Sequence, residues 1–211
     1  MRTIVKGAEP PSLTEWRAST HTNYEDYPDK NTLRGNLVKE QRGLCCYCLS
    51  RIRAESGSMK IEHWHSQDKY PAGRLDYSNL LAACLGNEGR ASRDQHCDTR
   101  KGNRDISRNP ANPQDRIEDI IQFQGDGKIG STNLAFNKEL TDVLNLNLPF
   151  LINNCKAALS AFQAFLRMRG ELPRATLERM LRRLSGEQDS GELQPHCQVI
   201  VYWLRKRLRR A

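Results

Sequence analysis

The sequence predicts an α+β fold, mostly helical, with a small zinc-stapled core of short strands and a helical C-terminal region. Three observations lead there. Cys45, Cys48, Cys84 and Cys97 bracket a segment that contains the alternating stretch "MKIEH" (59–63). From about Asn137 onward, apolar residues recur at helical spacing. Hydrophobic residues make up 37% of the 211, and the mean hydropathy is −0.73, so the chain can bury a core beneath a heavily charged surface.

Residues 1–30 read as an irregular arm with one short helix near "SLTEWRAS", punctuated by "EPP" and "YPDK". "NTLRGNLVKEQR" (31–42) reads as a helix capped by Asn31, with Leu33 and Leu37 on one face and Gly43 at its end. Residues 44–63 read as two short strands around a turn at "AESGS". "YSNLLAAC" follows, then a polar loop from Gly86 to Gln95, and "CDTRKGNR" can start a short helix. "RIEDIIQFQGDGKIG" reads as a hairpin that turns at Asp126-Gly127. In "PFLINNCKAALSAFQAFLRM", Leu151, Ala158, Leu159, Phe162, Phe165 and Leu166 fit a helical period. "PRATLERMLRRL" opens on proline and aligns Leu177, Leu181 and Leu184, and "CQVIVYWLRKRLRR" is a closing basic helix. The expected organisation is 1–110 as arm, helix and metal core, then 111–211 as a small hairpin and a basic helical region.

No run of 18 apolar residues exists, so no transmembrane helix and no membrane partner are expected. The start, "MRTIVKGAEPP", lacks the apolar stretch of a signal peptide, which predicts a reducing, cytoplasmic setting. Seven cysteines there argue for metal before disulfides. Cys45 and Cys48 form C-x-x-C, a spacing that aims two thiolates from one tight turn at one ion. Cys84 and Cys97 flank the polar loop and complete a four-thiolate set of the structural zinc kind. Cys46 then points elsewhere. His96, next to Cys97, is a rival that could replace a cysteine. Cys155 and Cys197 fall on helix faces as small core residues.

The net charge of +8 is concentrated: from Lys156 onward there are 12 Lys/Arg against 5 Asp/Glu. A positive surface of this kind attracts polyanions, nucleic acid first, although a solubilising helix face has the same composition.

Glu62-His63 ends the alternating strand, Asn79 opens the next element, and Asp98 and Lys101-Gly102 follow Cys97. This order of C-x-x-C, acid-His, Asn-Leu and Cys-Asp-x-x-Lys-Gly resembles the HNH nuclease motif, carried by the ββα-metal fold. The resemblance implies His63 as general base, Asn79 as its support and Asp98 as a ligand of a divalent ion, with zinc-binding cysteines clamping the motif. The residue types suit phosphodiester cleavage, which needs an activated water and neutralised phosphate charge. An imidazole of pKa about 6.5 can take a proton from water at cellular pH. Glu62 and Asp98 offer hard oxygens for Mg²⁺ or Mn²⁺. Asn79 can orient His63 without titrating, and Lys101 could meet phosphate. Glu62 stands where the motif commonly has Asp, and Asp98 where it has His or Asn; both keep a ligand oxygen. His65, on the same side of an extended segment as His63, is a further candidate ligand.

Beyond the motif, "VKGAEPPSLTEW", "LVKEQRGLCCYC", "YPAGRLDYSNLLAAC", "HCDTRKGN", "GDGKI" and "VLNLN" together resemble the PtuB-like HNH subunits of Septu-type and retron-associated anti-phage systems. The resemblance covers roughly residues 1–150; the helical C-terminus is similar in general character only. It implies an endonuclease acting on nucleic acid, DNA first and RNA such as tRNA second. It also implies an ABC/SMC-like ATPase partner (PtuA) and, in retron versions, a reverse transcriptase with its RNA–DNA hybrid product. The alternative is a non-catalytic, zinc-stapled subunit that binds nucleic acid or docks a partner.

Overall fold

In the computed structural model, which describes residues 1–20, 23–187 and 191–209, helices dominate and two small antiparallel sheets sit among them. Helix α1 (Pro11–Ala18) opens on proline, whose missing N–H is one a first turn leaves unpaired anyway. Helix α2 (Lys30–Glu40) is capped by Asp29, whose carboxylate accepts from the Thr32 N–H. Asn31, the expected cap, lies one residue inside the helix. Leu33 and Leu37 face inward and are fully buried. Arg42, at φ +57°, and not the expected Gly43, is the first left-handed residue at the helix end, and Gly43, at φ +74°, closes the turn by donating to the Val38 carbonyl.

The strand pairing differs from the expected one. Strand β1 (Met59–His63) pairs antiparallel with β2 (Leu80–Cys84), placing Met59 opposite Cys84 and His63 opposite Leu80. Residues 44–51 form a tight loop closed by the single bridge Leu44–Arg51, with Leu49 at φ +63°. A loop curled enough to bring Cys45 and Cys48 together cannot stay extended as a ladder partner. The run "LLAAC" is buried from Leu80 to Ala83 and takes that place. Helix α3 (Cys97–Lys101) follows, beside β2.

The second half begins with a helical turn, α4 (Ile117–Ile120), where the first arm of a hairpin was expected. Ile117 enters the core from this turn, and only Ile121–Phe123 (β3) remains to pair with Ile129–Ser131 (β4). The turn lies at Asp126-Gly127 as expected, with Gly127 at φ +97°. Helix α5 (Leu134–Asp142) is capped by Asn133 and starts slightly ahead of Asn137. Then come α6 (Pro149–Arg169), α7 (Arg174–Leu184) and α8 (Cys197–Leu208). Helices α6 and α7 both pack against α8, whose Val199, Val201 and Leu204 are fully buried. One apolar cluster runs from Leu13 and Leu37 through Leu81, Phe136 and Leu151 to Val199. No helix among the described residues is long and apolar enough to cross a membrane.

Candidate functional site

The loop after α2, the end of β2 and the start of α3 deliver four cysteine sulfurs to one point. The ligand atoms of Cys45, Cys48, Cys84 and Cys97 all lie within 4.8 Å of one another. Cys45 Sγ is 3.8 Å from Cys97 Sγ, and Cys48 Sγ is 3.7 Å from Cys84 Sγ. A tetrahedron with metal–sulfur bonds of about 2.3 Å has edges of about 3.8 Å, so these separations suit a zinc-sized ion. Gly86 makes the loop between β2 and α3 possible. Its φ is +57°, and a Cβ there would collide with the His96 carbonyl. Burial pushes the Cys45 thiol up, but the neighbouring Cys46, Cys48, Cys84 and Cys97 groups converging on its sulfur hold it well below the ordinary thiol range. The four cysteines could therefore hold a metal such as zinc. Cys46 lies outside the group, and burial pushes its thiol up. His96 is beside the group, with Nδ1 3.1 Å from Cys97 Sγ and 4.0 Å from Cys84 Sγ.

The acid–histidine pair lies at the other end of β1. Glu62 is 2% exposed and Lys101 1% exposed. The Lys101 Nζ lies 2.9 Å from Glu62 Oε1 and also donates to the His63 carbonyl at 3.0 Å. Lys101, expected to meet phosphate, is thus committed inside the protein. Tyr47 donates its hydroxyl to the same Glu62 oxygen at 2.6 Å. Burial, then the neighbouring Asp98 carboxylate, push the Glu62 carboxyl up; Lys101 and Tyr47 oppose them. Helix α3 thus brings Asp98 and Lys101 to Glu62 from one short turn.

His63 is 6% exposed, and its Nε2 lies 3.0 Å from the Arg74 carbonyl. A carbonyl can only accept, so Nε2 carries the proton and Nδ1 is left to accept another. Burial lowers the His63 pKa below its usual value. Tyr24 packs against the ring at 4.5 Å, edge to face. Asn79 does not hold the ring. Its Oδ1 accepts from the His65 N–H at 2.7 Å, and its Nδ2 donates to the carbonyls of His65 and Gly73 at 3.0 and 3.1 Å. Asn79 pins the backbone just beyond His63. His65 itself is exposed and stacks on Tyr70 at 4.4 Å, with Trp64 at 4.1 Å. Among the described residues, the four cysteines are the one group of three or more metal-ligating side chains close enough to share an ion.

Sequence reasoning passed over Tyr47, Tyr24 and the Arg74 carbonyl. Tyr47 sits inside C-x-x-C, where it reads as a spacer. The available signal was that a large tyrosine forced inward by such a turn needs a partner for its hydroxyl.

No family model matches the chain. Over 74 residues it is 30% identical to a Septu protein PtuB of Bacillus thuringiensis, covering 35% of this chain and 25% of that protein. Over 98 residues it is 32% identical to the Retron Ec83 putative HNH endonuclease of Escherichia coli, covering 41% of this chain and 38% of that protein. The matched stretches thus span well under half the length of either relative.

Proposed function

Taking the chain as a PtuB-like HNH defence subunit, which the two relatives support, we propose that it is a metal-dependent endonuclease that hydrolyses phosphodiester bonds in nucleic acid. DNA is the first substrate class and RNA the second. Its partners would be an ABC/SMC-like ATPase and, in a retron setting, a reverse transcriptase with its RNA–DNA product, in the cytoplasm. The observation that carries this reading is the grouping of Glu62 and Asp98 beside a neutral His63 whose Nε2–H is committed to a carbonyl.

Cys45, Cys48, Cys84 and Cys97 would hold zinc as a staple. Glu62 and Asp98 would hold Mg²⁺ or Mn²⁺ on the ββα-metal unit of β1, β2 and α3. Such an ion would stabilise charge on the phosphate and on the departing oxygen. His63 Nδ1 takes the proton from the attacking water, and burial keeps the ring neutral for that role. Asn79 fixes the strand end that carries His63. Lys101 and Tyr47 hold Glu62 in one orientation. Metal analysis and cleavage of DNA and RNA, with the wild type and His63→Ala each purified with the partner ATPase, test the reading. Equal cutting by both proteins removes His63 from the base role.

A second reading has one observation in its favour: Glu62 already has a cation, Lys101, against it. A non-catalytic subunit that binds nucleic acid or docks a partner would then show binding, without any cleavage that depends on divalent ions.

A further inference from the structure

Helix α8 and strand β3 wall a cavity of about 970 Å³ that shares no lining residue with the cysteine cluster or with Glu62, His63 and Asp98. Arg116, Gln198, Tyr202, Arg205, Lys206 and Arg209 line it. Its charges are arranged in two zones. Arg116 pairs with Asp119 at 2.6 Å and Arg205 with Glu118 at 2.8 Å, so that part of the wall is neutral and rich in donors and acceptors. Lys206 and Arg209 form no ion pair among the described residues; Lys206 lies over the Trp203 ring at 5.0 Å. Gln198 is 2% exposed, and its Oε1 has no hydrogen-bond partner among the described residues. Tyr202 is part-exposed and presents a ring to the same space.

We propose that this cavity binds a nucleotide unit, with phosphate at the Lys206–Arg209 edge and base and sugar against Tyr202, Gln198 and the paired charges. Unpaired cations attract phosphate. An aromatic ring accepts any base by stacking. A buried amide without a partner accepts an exocyclic amine or a sugar hydroxyl once the amide turns toward it. An acidic peptide fits less well, because it offers carboxylates to the Lys206–Arg209 edge but no planar base for the Tyr202 ring. The volume falls in the usual range for small-ligand sites, about 300–1,000 Å³. The unit can come from a single strand of nucleic acid or from a free nucleotide, and the chemistry is shared.

The test uses the full chain without added divalent ions, so that cleavage plays no part. Fluorescence anisotropy follows labelled oligo-dT and oligo-U of about 12 nucleotides, within the usual single-strand site size, and a labelled nucleoside triphosphate. Lys206→Gln/Arg209→Gln should weaken oligonucleotide binding about tenfold and flatten the dependence of log K on log salt by about 1.4, since each lost phosphate contact removes about 0.7. Arg182→Gln/Arg183→Gln removes the same charge from exposed positions on α7 and should change affinity less than about twofold if binding is local. Gln198→Leu should bind more weakly while its melting temperature holds or rises, which a purely structural glutamine would not do. Binding of the triphosphate alone, with the same variant pattern, supports the site and assigns it to a free nucleotide. Equal losses in the α7 control, or no binding of either probe, overturns the proposal. Cleavage lost in His63→Ala with oligonucleotide binding intact separates this site from the proposed catalytic one.

Discussion

Replacing Lys101 by methionine keeps an unbranched side chain, one heavy atom shorter, and removes its charge. In the wild type the ammonium and the Glu62 carboxylate are both almost fully buried and 2.9 Å apart, and the ammonium also satisfies the His63 carbonyl. Removing one partner of such a pair leaves the other charge without compensation, at a cost of about 3–5 kcal/mol. For a domain of this size, each kcal/mol lowers the melting temperature by about 2–4 °C, so Lys101→Met should melt roughly 6–20 °C below wild type. Glu62→Gln should lose a comparable amount, since it strands the ammonium. The double variant should lose clearly less than the sum, because neither charge is then left behind. Melts followed by circular dichroism at neutral pH, with and without added Mn²⁺, complete the test. An ion held by Glu62 and Asp98 would bind only the native state, and at about a hundred times its Kd it would restore about 2.7 kcal/mol to Lys101→Met. A Lys101→Met protein that melts within about 2 °C of wild type would refute the view that this lysine balances a buried carboxylate.

Cys48→Ala should lose both zinc binding and cooperative unfolding, whereas Cys46→Ala should bind zinc like the wild type, measured by elemental analysis; equal losses would show that Cys46 is itself a ligand. Tyr47→Phe removes the hydroxyl that reaches Glu62 and should cost about 1–3 kcal/mol in denaturant unfolding, with metal content unchanged. Gly86→Ala forces a Cβ against the His96 carbonyl and should destabilise the fold by more than about 1 kcal/mol, with metal released earlier on heating; an unchanged melt contradicts the close approach. Cleavage should follow the neutral form of His63. Burial lowers the pKa of this ring, so the acid limb of kcat/KM should fall below about pH 6.5, and a limb above that value would contradict it.

Much of this molecule is readable from residue order because its signals are local. The helical period from Leu151 to Leu166, the Asp126-Gly127 turn and the cysteine spacing each depend on neighbours a few residues apart, and each appears where expected. The cap of α2 lies two residues earlier than expected because Asp29 and Asn31 both suit the role by type, and it is the Asp29 carboxylate that accepts from the Thr32 N–H. What the local pattern could not supply is pairing across long separations. Whether Met59–His63 meets residues 44–53 or Leu80–Cys84 depends on how tightly the C-x-x-C loop curls, and alternation is the same for either partner. The side-chain roles in the site followed the same division. Cys45 and Cys48 follow from residue type and spacing, and Glu62, His63 and Asp98 from the order of residues that resembles the HNH motif. Lys101 holding Glu62, Tyr47 reaching it from inside the cysteine loop, and Asn79 gripping the backbone at His65 are contacts between segments 14 to 39 positions apart. Residue type tells what a side chain can donate or accept; only packing of β1 against β2 and α3 selects the atom that meets it, because burial removes water as the alternative partner.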